Sequence, residues 1–179
     1  MSTYCYKGKG PALPYDSMFA VLKRHIDVAA LVSTDYGKLA LASAPKVSLS
    51  SFAGFLQNDI MEVFEVPAGT VIVGCGCRVT TVEGATCSVE MGFLDKTQTA
   101  LGVNANATDP NAYGTFDWNS AKTLSVPQIA LDGAAEMMAD VYVTDGSIDL
   151  SFASSGGCDT AVVDLWVSVF RAFEPTTSS

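Results

Sequence analysis

Hydrophobic and polar residues alternate along most of the chain after Lys46, and turn residues separate the alternating runs. A period of two places apolar side chains on one face of a strand, and closely spaced turns are typical of antiparallel sheets. The pattern predicts about eight short strands and one long crossover connection, which is typical of sandwiches and jelly rolls. The predicted fold is therefore an all-β, jelly-roll-like antiparallel β-sandwich.

The clearest predicted strands lie on either side of the short turn at residues 81–85. A turn of this length predicts a hairpin, and the alternation gives that hairpin one buried face. The residues predicted to face inward are Val71, Val73, Cys75, Cys77 and Val79 in the first strand, and Cys87, Val89, Met91 and Phe93 in the second.

The final predicted strand has the sequence AVVDLWVSVFRAF, whose odd-numbered residues from Ala161 to Val169 form an apolar face. Its other face carries two large aromatic residues, and aromatics at outward strand positions are typical of protein interfaces. The alternative is that a second layer or the N-terminal segment covers them within one monomer. The candidate interface residues are Asp164, Trp166 and Phe170, with Tyr142 from the preceding alternating run.

Residues 95–134 are rich in Asn, Asp, Thr and Gly, and this composition predicts a long connection. Long connections inside a domain are often functional. Thr123–Ile129 predicts a short strand, which Pro127 would restrict to a sheet edge. Three aromatic residues near the end of the connection could stack on sugar rings and form a candidate ligand loop: Tyr113, Phe116 and Trp118.

The first 45 residues do not share the period-two pattern. Ser17 could cap a short helix over Met18–Ile26, because Met18, Leu22 and Ile26 are four residues apart. Tyrosines and prolines before this helix predict an extended segment. The expected organisation is an N-terminal arm at residues 1–45, a sandwich domain at 46–175 that folds without the arm, and a disordered tail at 176–179.

Charge distinguishes the two parts of the chain, whose overall net charge is −9. Residues 1–46 carry six basic and three acidic residues, whereas residues 47–179 carry four basic and 16 acidic residues. The excess of acidic residues in 47–179 repels the phosphate groups of nucleic acids, which argues against a nucleic-acid partner. No apolar run reaches the roughly 18 residues of a membrane span, so no membrane partner is expected, and no export signal is apparent. The basic first quarter could dock on an acidic surface.

The residues available for catalysis or metal binding form no recognisable constellation. The five cysteines include one C-x-C pair, Cys75 and Cys77, and are best explained as reduced, buried core residues, with zinc or a disulfide as alternatives. The single histidine, His25, is best explained as exposed or partner-contacting, and no G-x-S-x-G motif supports a nucleophile. Acidic pairs such as Glu62 with Glu65 or Asp145 with Asp149 are explained as solvated acids, although a glycosidase pair is the alternative. We therefore expect no enzyme activity, no cofactor and no metal.

Three segments resemble the jelly-roll decoration, or cement, proteins and related head-fibre proteins of tailed bacteriophages. They are QNDIMEVFEVPAGTVIVGCGCRVTT, VYVTDGSIDLSF and TAVVDLWVSVFRAF, within residues 57–94 and 136–172. The resemblance implies a structural protein on the capsid exterior, made in the host cytoplasm, that forms a homotrimer on the major capsid protein and stabilises the shell. It implies no catalytic residues.

With this resemblance, the basic arm becomes the expected capsid-docking element. Its candidate docking residues are Tyr4, Tyr6, Lys7, Lys9, Lys23 and Arg24. The alternative function is a carbohydrate-binding jelly-roll module of a phage fibre or host-recognition protein, which would bind surface glycans through the candidate ligand loop.

Overall fold

Two β-sheets pack face to face in the computed structural model, which describes residues 3–6, 19–41, 48–93, 109–120, 123–126, 145–154 and 156–171. The predicted all-β sandwich is confirmed. All strand pairs are antiparallel except one, which joins the first and fourth strands in parallel.

The first sheet has six strands in the described part of the chain and the second has four. The order in the six-stranded sheet is β3 (Leu39–Leu41), β1 (Thr3–Tyr6), β4 (Ile60–Val66), β9 (Gly146–Phe152), β6 (Ser88–Phe93) and β7 (Asp109–Asp117). The order in the four-stranded sheet is β2 (Phe19–Asp27), β10 (Val162–Arg171), β5 (Thr70–Thr81) and β8 (Thr123–Val126). One helix, α1 (Val28–Ser33), and a 3₁₀ turn (Tyr36–Lys38) follow β2.

The core lies between the sheets and is built by the alternation that the sequence predicts. The odd-numbered residues of β10 from Val163 to Val169 are buried, as is the preceding Ala161. The predicted inward residues of β6 are buried as well, and so are Ile148, Leu150 and Phe152 of β9. Aromatic rings join the connections to this core: Phe55 stacks on Phe152 with ring centroids 4.1 Å apart. Burial of these apolar faces is the main stabilising term of the sandwich.

The predicted hairpin between β5 and β6 is wrong, because the two strands belong to different sheets. β5 pairs with β10 and β8, whereas β6 pairs with β7 and β9. The connection at residues 82–87 crosses from one sheet to the other, so both strands still bury an apolar face. The predicted apolar faces are therefore the same for a hairpin within one sheet and for a connection between two sheets, so they could not distinguish the two arrangements.

One predicted face of β5 is also interrupted. The β5–β10 register shifts where Ser168 pairs with Gly74 and Val169 pairs with Ile72, so Val73 is an extra, bulged residue. A bulge reverses the faces of the residues beyond it. As a result Ile72 packs against the core, and Val71 is paired with the outward-facing Phe170.

The expected helix over Met18–Ile26 and the separate N-terminal arm are both corrected by the structure. Phe19–Asp27 is strand β2 and pairs with β10 along its whole length, while β1 lies inside the six-stranded sheet. The spacing of four between Leu22 and Ile26 fits either a helix or one face of a strand. The helix begins one residue after β2 instead, where the Asp27 carboxylate accepts a hydrogen bond from the Ala30 N–H at 2.8 Å. The predicted tail lies outside the described residues.

Two strands lie in the segment predicted as a long connection. Asp109–Asp117 forms β7 at one edge of the six-stranded sheet. Thr123–Val126 forms β8 at an edge of the four-stranded sheet, where the sequence places a short strand.

A buried carboxylate fixes the crossing between the sheets. Glu83, which is 5% exposed, accepts hydrogen bonds from the backbone N–H groups of Asp159, Thr160 and Ala161 at 2.9, 2.9 and 3.1 Å. The Thr160 hydroxyl donates to the same carboxylate at 2.8 Å. Burial acts to raise the pKa of Glu83, but the combined hydrogen bonds outweigh it and lower the pKa to about 2.

Deletion of residues 1–40 should abolish cooperative folding, because it removes β1, β2 and most of β3 and uncovers the whole edge of β10. A deletion of residues 1–18 leaves β2 in place and should give a less stable but folded protein. Far-UV circular dichroism and thermal unfolding would test both. A cooperative transition in the 1–40 deletion would contradict the placement of β2 in the sandwich.

Glu83→Gln should destabilise the protein by about 3 kcal/mol at pH 7, since the carboxylate pKa is lowered from its unfolded value of 4.5 to about 2. A lowered native pKa gives stability that is present above pH 4.5 and is lost as the pH falls towards 2. The difference between the parent and the variant should therefore shrink over that range in urea unfolding. Glu65→Gln, at an exposed position, is the matched control, and a difference independent of pH would contradict the ionised state of Glu83.

Candidate interaction surface on the four-stranded sheet

The outward side of strands β2, β10 and β5 forms a continuous surface, which we call the β2–β10–β5 face. In an antiparallel ladder directly paired residues point to the same side of the sheet. The register therefore assembles this face from Phe19, Val21, Lys23 and His25 of β2, from Asp164, Trp166, Ser168 and Phe170 of β10, and from Val71, Gly74, Gly76 and Arg78 of β5.

Trp166 occupies the centre of this face and lies over Gly76. A Cβ atom added to Gly76 would be 2.1 Å from Cζ2 of the indole, well inside any real contact distance. Only a glycine at this position allows the ring to lie close to the backbone of β5. The indole is half-buried by this arrangement, and Gly76 is buried beneath it.

One end of the face is polar. Nδ1 of His25 lies 2.7 Å from Oδ1 of Asp164, and both side chains are exposed. Arg78, also exposed, is paired with Asp164 from the other side in the β5–β10 register. Asp164 therefore lies between two basic side chains on neighbouring strands.

The other end is apolar. Phe19 is 57% exposed and Val21 is 43% exposed, although both lie on a regular strand. Phe170 is paired with Phe19 on one side and with Val71 on the other. Phe19 and Val21 are the exposed members of this apolar cluster, since Phe170 is half-buried and Val71 is 5% exposed. Trp166 and Lys23 separate the cluster from the polar end.

The structure confirms the outward orientation predicted for Asp164, Trp166 and Phe170, while Tyr142 lies outside the described residues. Phe19 and Val21, which contribute the most exposed apolar surface here, were missed as site residues. The sequence did contain a pattern that indicates them, because Phe19 and Val21 occupy the outward-facing positions of an alternating run in FAVLKRHID. The helical interpretation of this segment concealed it.

The candidate docking residues do not lie together on one N-terminal arm. Lys23 is exposed on the β2–β10–β5 face. Arg24 points to the interior, where its Nη2 donates to the Val63 carbonyl at 3.0 Å and its guanidinium lies 5.9 Å from the centre of the Phe64 ring. Val63 is the extra residue at the register shift of β4, so Arg24 stabilises that irregularity.

The remaining docking candidates give no exposed site in the described chain. The Tyr4 ring packs edge-on against Phe52 and Phe55 at 5.4 and 5.5 Å and is half-buried, so Tyr4 supports the core. Tyr6 lies in β1, of which only the backbone is described at this position. Lys7 and Lys9 lie outside the described residues.

The candidate ligand loop is wrong as a stacking platform. Tyr113, Phe116 and Trp118 are 7%, 1% and 0% exposed, respectively. Phe116 faces inward on β7 opposite Val89, and Trp118 packs edge-on against Phe152 at 5.7 Å. These aromatic rings fill the core, so none of them presents a face to a sugar.

The cysteines behave as small core residues where the structure describes their side chains. Cys75, Cys77, Cys87 and Cys158 are buried and not joined by disulfides. Burial raises the pKa of Cys75 and of Cys77 to about 12. The thiol of Cys75 donates to the Tyr113 carbonyl at 2.8 Å and so links the two sheets.

Comparison with known proteins finds a likeness of fold. No protein-family model and no curated protein matches the sequence. A chain in the capsid of Ralstonia phage GP4 aligns with a TM-score of 0.50 at 14% identity, over 91% of each chain. A chain in the acid-stable capsid of Helicobacter pylori bacteriophage KHP30 aligns with a TM-score of 0.46 at 14% identity, over 88% of this chain and 90% of that one. Within the residues described, no helix is long and apolar enough to cross a membrane.

Gly76→Ala should lower the free energy of unfolding by about 1–3 kcal/mol, because the new methyl group forces the Trp166 ring off the sheet. Gly74→Ala is the matched control on the same strand, since a Cβ there meets no atom within 4 Å. Urea unfolding and the fluorescence of the indole would measure the two effects. Equal stability of the two variants would contradict the close packing of Trp166 on Gly76.

Proposed function

We propose that this chain is a structural protein of a bacteriophage virion, a decoration protein that binds the outside of the capsid as a homotrimer and stabilises the shell. The observation that carries the proposal is the β2–β10–β5 face, which holds exposed apolar and charged side chains on rigid strands. The fold it shares with a chain of the phage GP4 capsid over 91% of both sequences supports the coarser part of this proposal, a structural protein of a phage.

The chemistry of the face is that of a protein-binding surface. An exposed apolar cluster bordered by charged residues is typical of protein interfaces. Phe19 and Val21 lie on an edge strand that is paired with β10 along its whole length, so little backbone entropy is lost when a partner covers them. A flat sheet face of this kind suits a broad protein partner better than a small molecule, which prefers a concave pocket.

We propose no catalytic role for the chain. Its single histidine lies on the open sheet face, hydrogen-bonded to Asp164 and exposed to solvent. The four cysteines with described side chains are buried, and burial opposes formation of the nucleophilic thiolate. The carbohydrate-binding alternative loses its proposed aromatic platform, because Tyr113, Phe116 and Trp118 lie in the core.

The proposed trimer restricts which surfaces can meet. Around a threefold axis each copy contacts the next through two different patches, so one face cannot pair with itself in all three copies. The β2–β10–β5 face could therefore contribute one half of a trimer contact at most.

The purified protein should bind saturably to capsids assembled without it and raise their rupture temperature, because a ligand that binds only the intact shell stabilises it. Co-sedimentation and differential scanning fluorimetry would measure binding and rupture, and analytical ultracentrifugation would show a trimer. Complete virions, whose sites are already filled, are the control and should bind none. Failure to bind undecorated capsids, or binding to a glycan array instead, would contradict the proposed function.

A further inference from the structure

The two sheets carry opposite charge. None of the six strands of the six-stranded sheet contains a lysine, arginine or histidine. Those strands contain six acidic residues: Glu62, Glu65, Glu90, Asp109, Asp117 and Asp149. The register places Glu62 beside Asp149 and Glu65 beside Ser147, on the side of the sheet opposite to the buried Ile148 and Leu150.

Every basic residue that lies in a described strand belongs to the four-stranded sheet. These residues are Lys23, Arg24, His25, Arg78 and Arg171, against two acids, Asp27 and Asp164. On the β2–β10–β5 face Lys23 and Arg78 are exposed, and Asp164 is already engaged with His25. Among the described strands, the face is thus the basic side, although the net charge of the whole chain is −9.

Basic and apolar groups lie next to each other on this face. Lys23 separates the exposed Phe19 and Val21 from the His25–Asp164 pair along β2. A complementary partner therefore presents an apolar patch with carboxylates along one border. Complementary charge favours the correct partner and excludes surfaces of like charge.

We propose that the β2–β10–β5 face docks onto a surface of the capsid shell that has an apolar patch bordered by acidic residues. In this orientation the acidic six-stranded sheet faces away from the shell. This inference rests on the proposed function and adds the orientation of the bound molecule. Carboxylates on the outward side keep bound copies and neighbouring virions apart by charge repulsion.

A second copy of the chain is a poorer occupant of this face. Two such faces brought together would bury basic groups of both copies in one contact without an excess of acids to pair them.

Two double variants test the docking face through binding to capsids assembled without the chain. Phe19→Ser with Val21→Ser should weaken binding by about tenfold or more, since exposed apolar surface is no longer buried. Lys23→Glu with Arg78→Glu should weaken binding by about tenfold at 0.05 M salt and remove most of its salt dependence. All four side chains are exposed, so both variants should unfold at the parent temperature.

Two control variants change comparable groups elsewhere. Leu56→Ser removes a side chain that is 67% exposed and lies outside the face. Glu65→Lys with Asp117→Lys reverses two exposed charges of the six-stranded sheet. Both controls should bind capsids within about twofold of the parent protein at 0.15 M salt, where long-range charge effects are screened.

The outcomes separate this inference from the proposed function. If the parent protein does not bind capsids, the proposed function itself fails. If the parent binds and both face variants bind equally well, the docking face is wrong while the function stands. Loss of binding only in Glu65→Lys with Asp117→Lys would reverse the orientation. If the face variants lose self-association but not capsid binding, the occupant is a second copy and the inference is overturned.

Discussion

Strand β10 imposes the constraint on which the rest of the four-stranded sheet depends. It lies between β2 and β5, so its odd-numbered residues must fill the core while its even-numbered residues face outward. Because both neighbours pair with it along most of its length, regularly in β2 and with register shifts in β5, β10 decides which of their residues share each side. The contact of Trp166 with Gly76 and the pairing of Asp164 with His25 are consequences of this register. One period-two strand thus organises both the core and the candidate surface.

The local alternation of β6 and β10 was sufficient to predict their buried residues, because each strand has one clearly apolar face. Other features depend on information that a local pattern does not contain. Leu22 and Ile26 are four residues apart, which suits a helix and a strand equally, and the long-range pairing with β10 decides between them. The bulge at Val73 and the crossing after β5 are also set by partner strands. The candidate surface could be predicted only in part, since Trp166 and Phe170 depend on β10 alone but Phe19 and Val21 depend on β2.

The distribution of charge in the folded chain differs from its distribution along the sequence. Along the chain, positive charge is concentrated in residues 1–46, which resembles a basic arm attached to an acidic body. In space, β2 brings Lys23 and His25 against β10, where they join Arg78 from the middle of the chain. Arg24, the neighbour of both, turns inward to the Val63 carbonyl. Within the described strands the asymmetry therefore lies between the two sheets, with the basic residues on the four-stranded sheet and most of the acidic residues on the six-stranded sheet.

The buried thiols have a consequence for a protein held at high local density. Disulfide exchange requires a thiolate, and burial raises the pKa of Cys75 and of Cys77 to about 12, so these thiols stay protonated at neutral pH. Cys87 and Cys158 are likewise covered by the core. Copies of the chain that lie close together in an oxidising medium would therefore remain chemically separate at these four positions. Burial that fills the space between two sheets thus also protects these four thiols from covalent cross-linking.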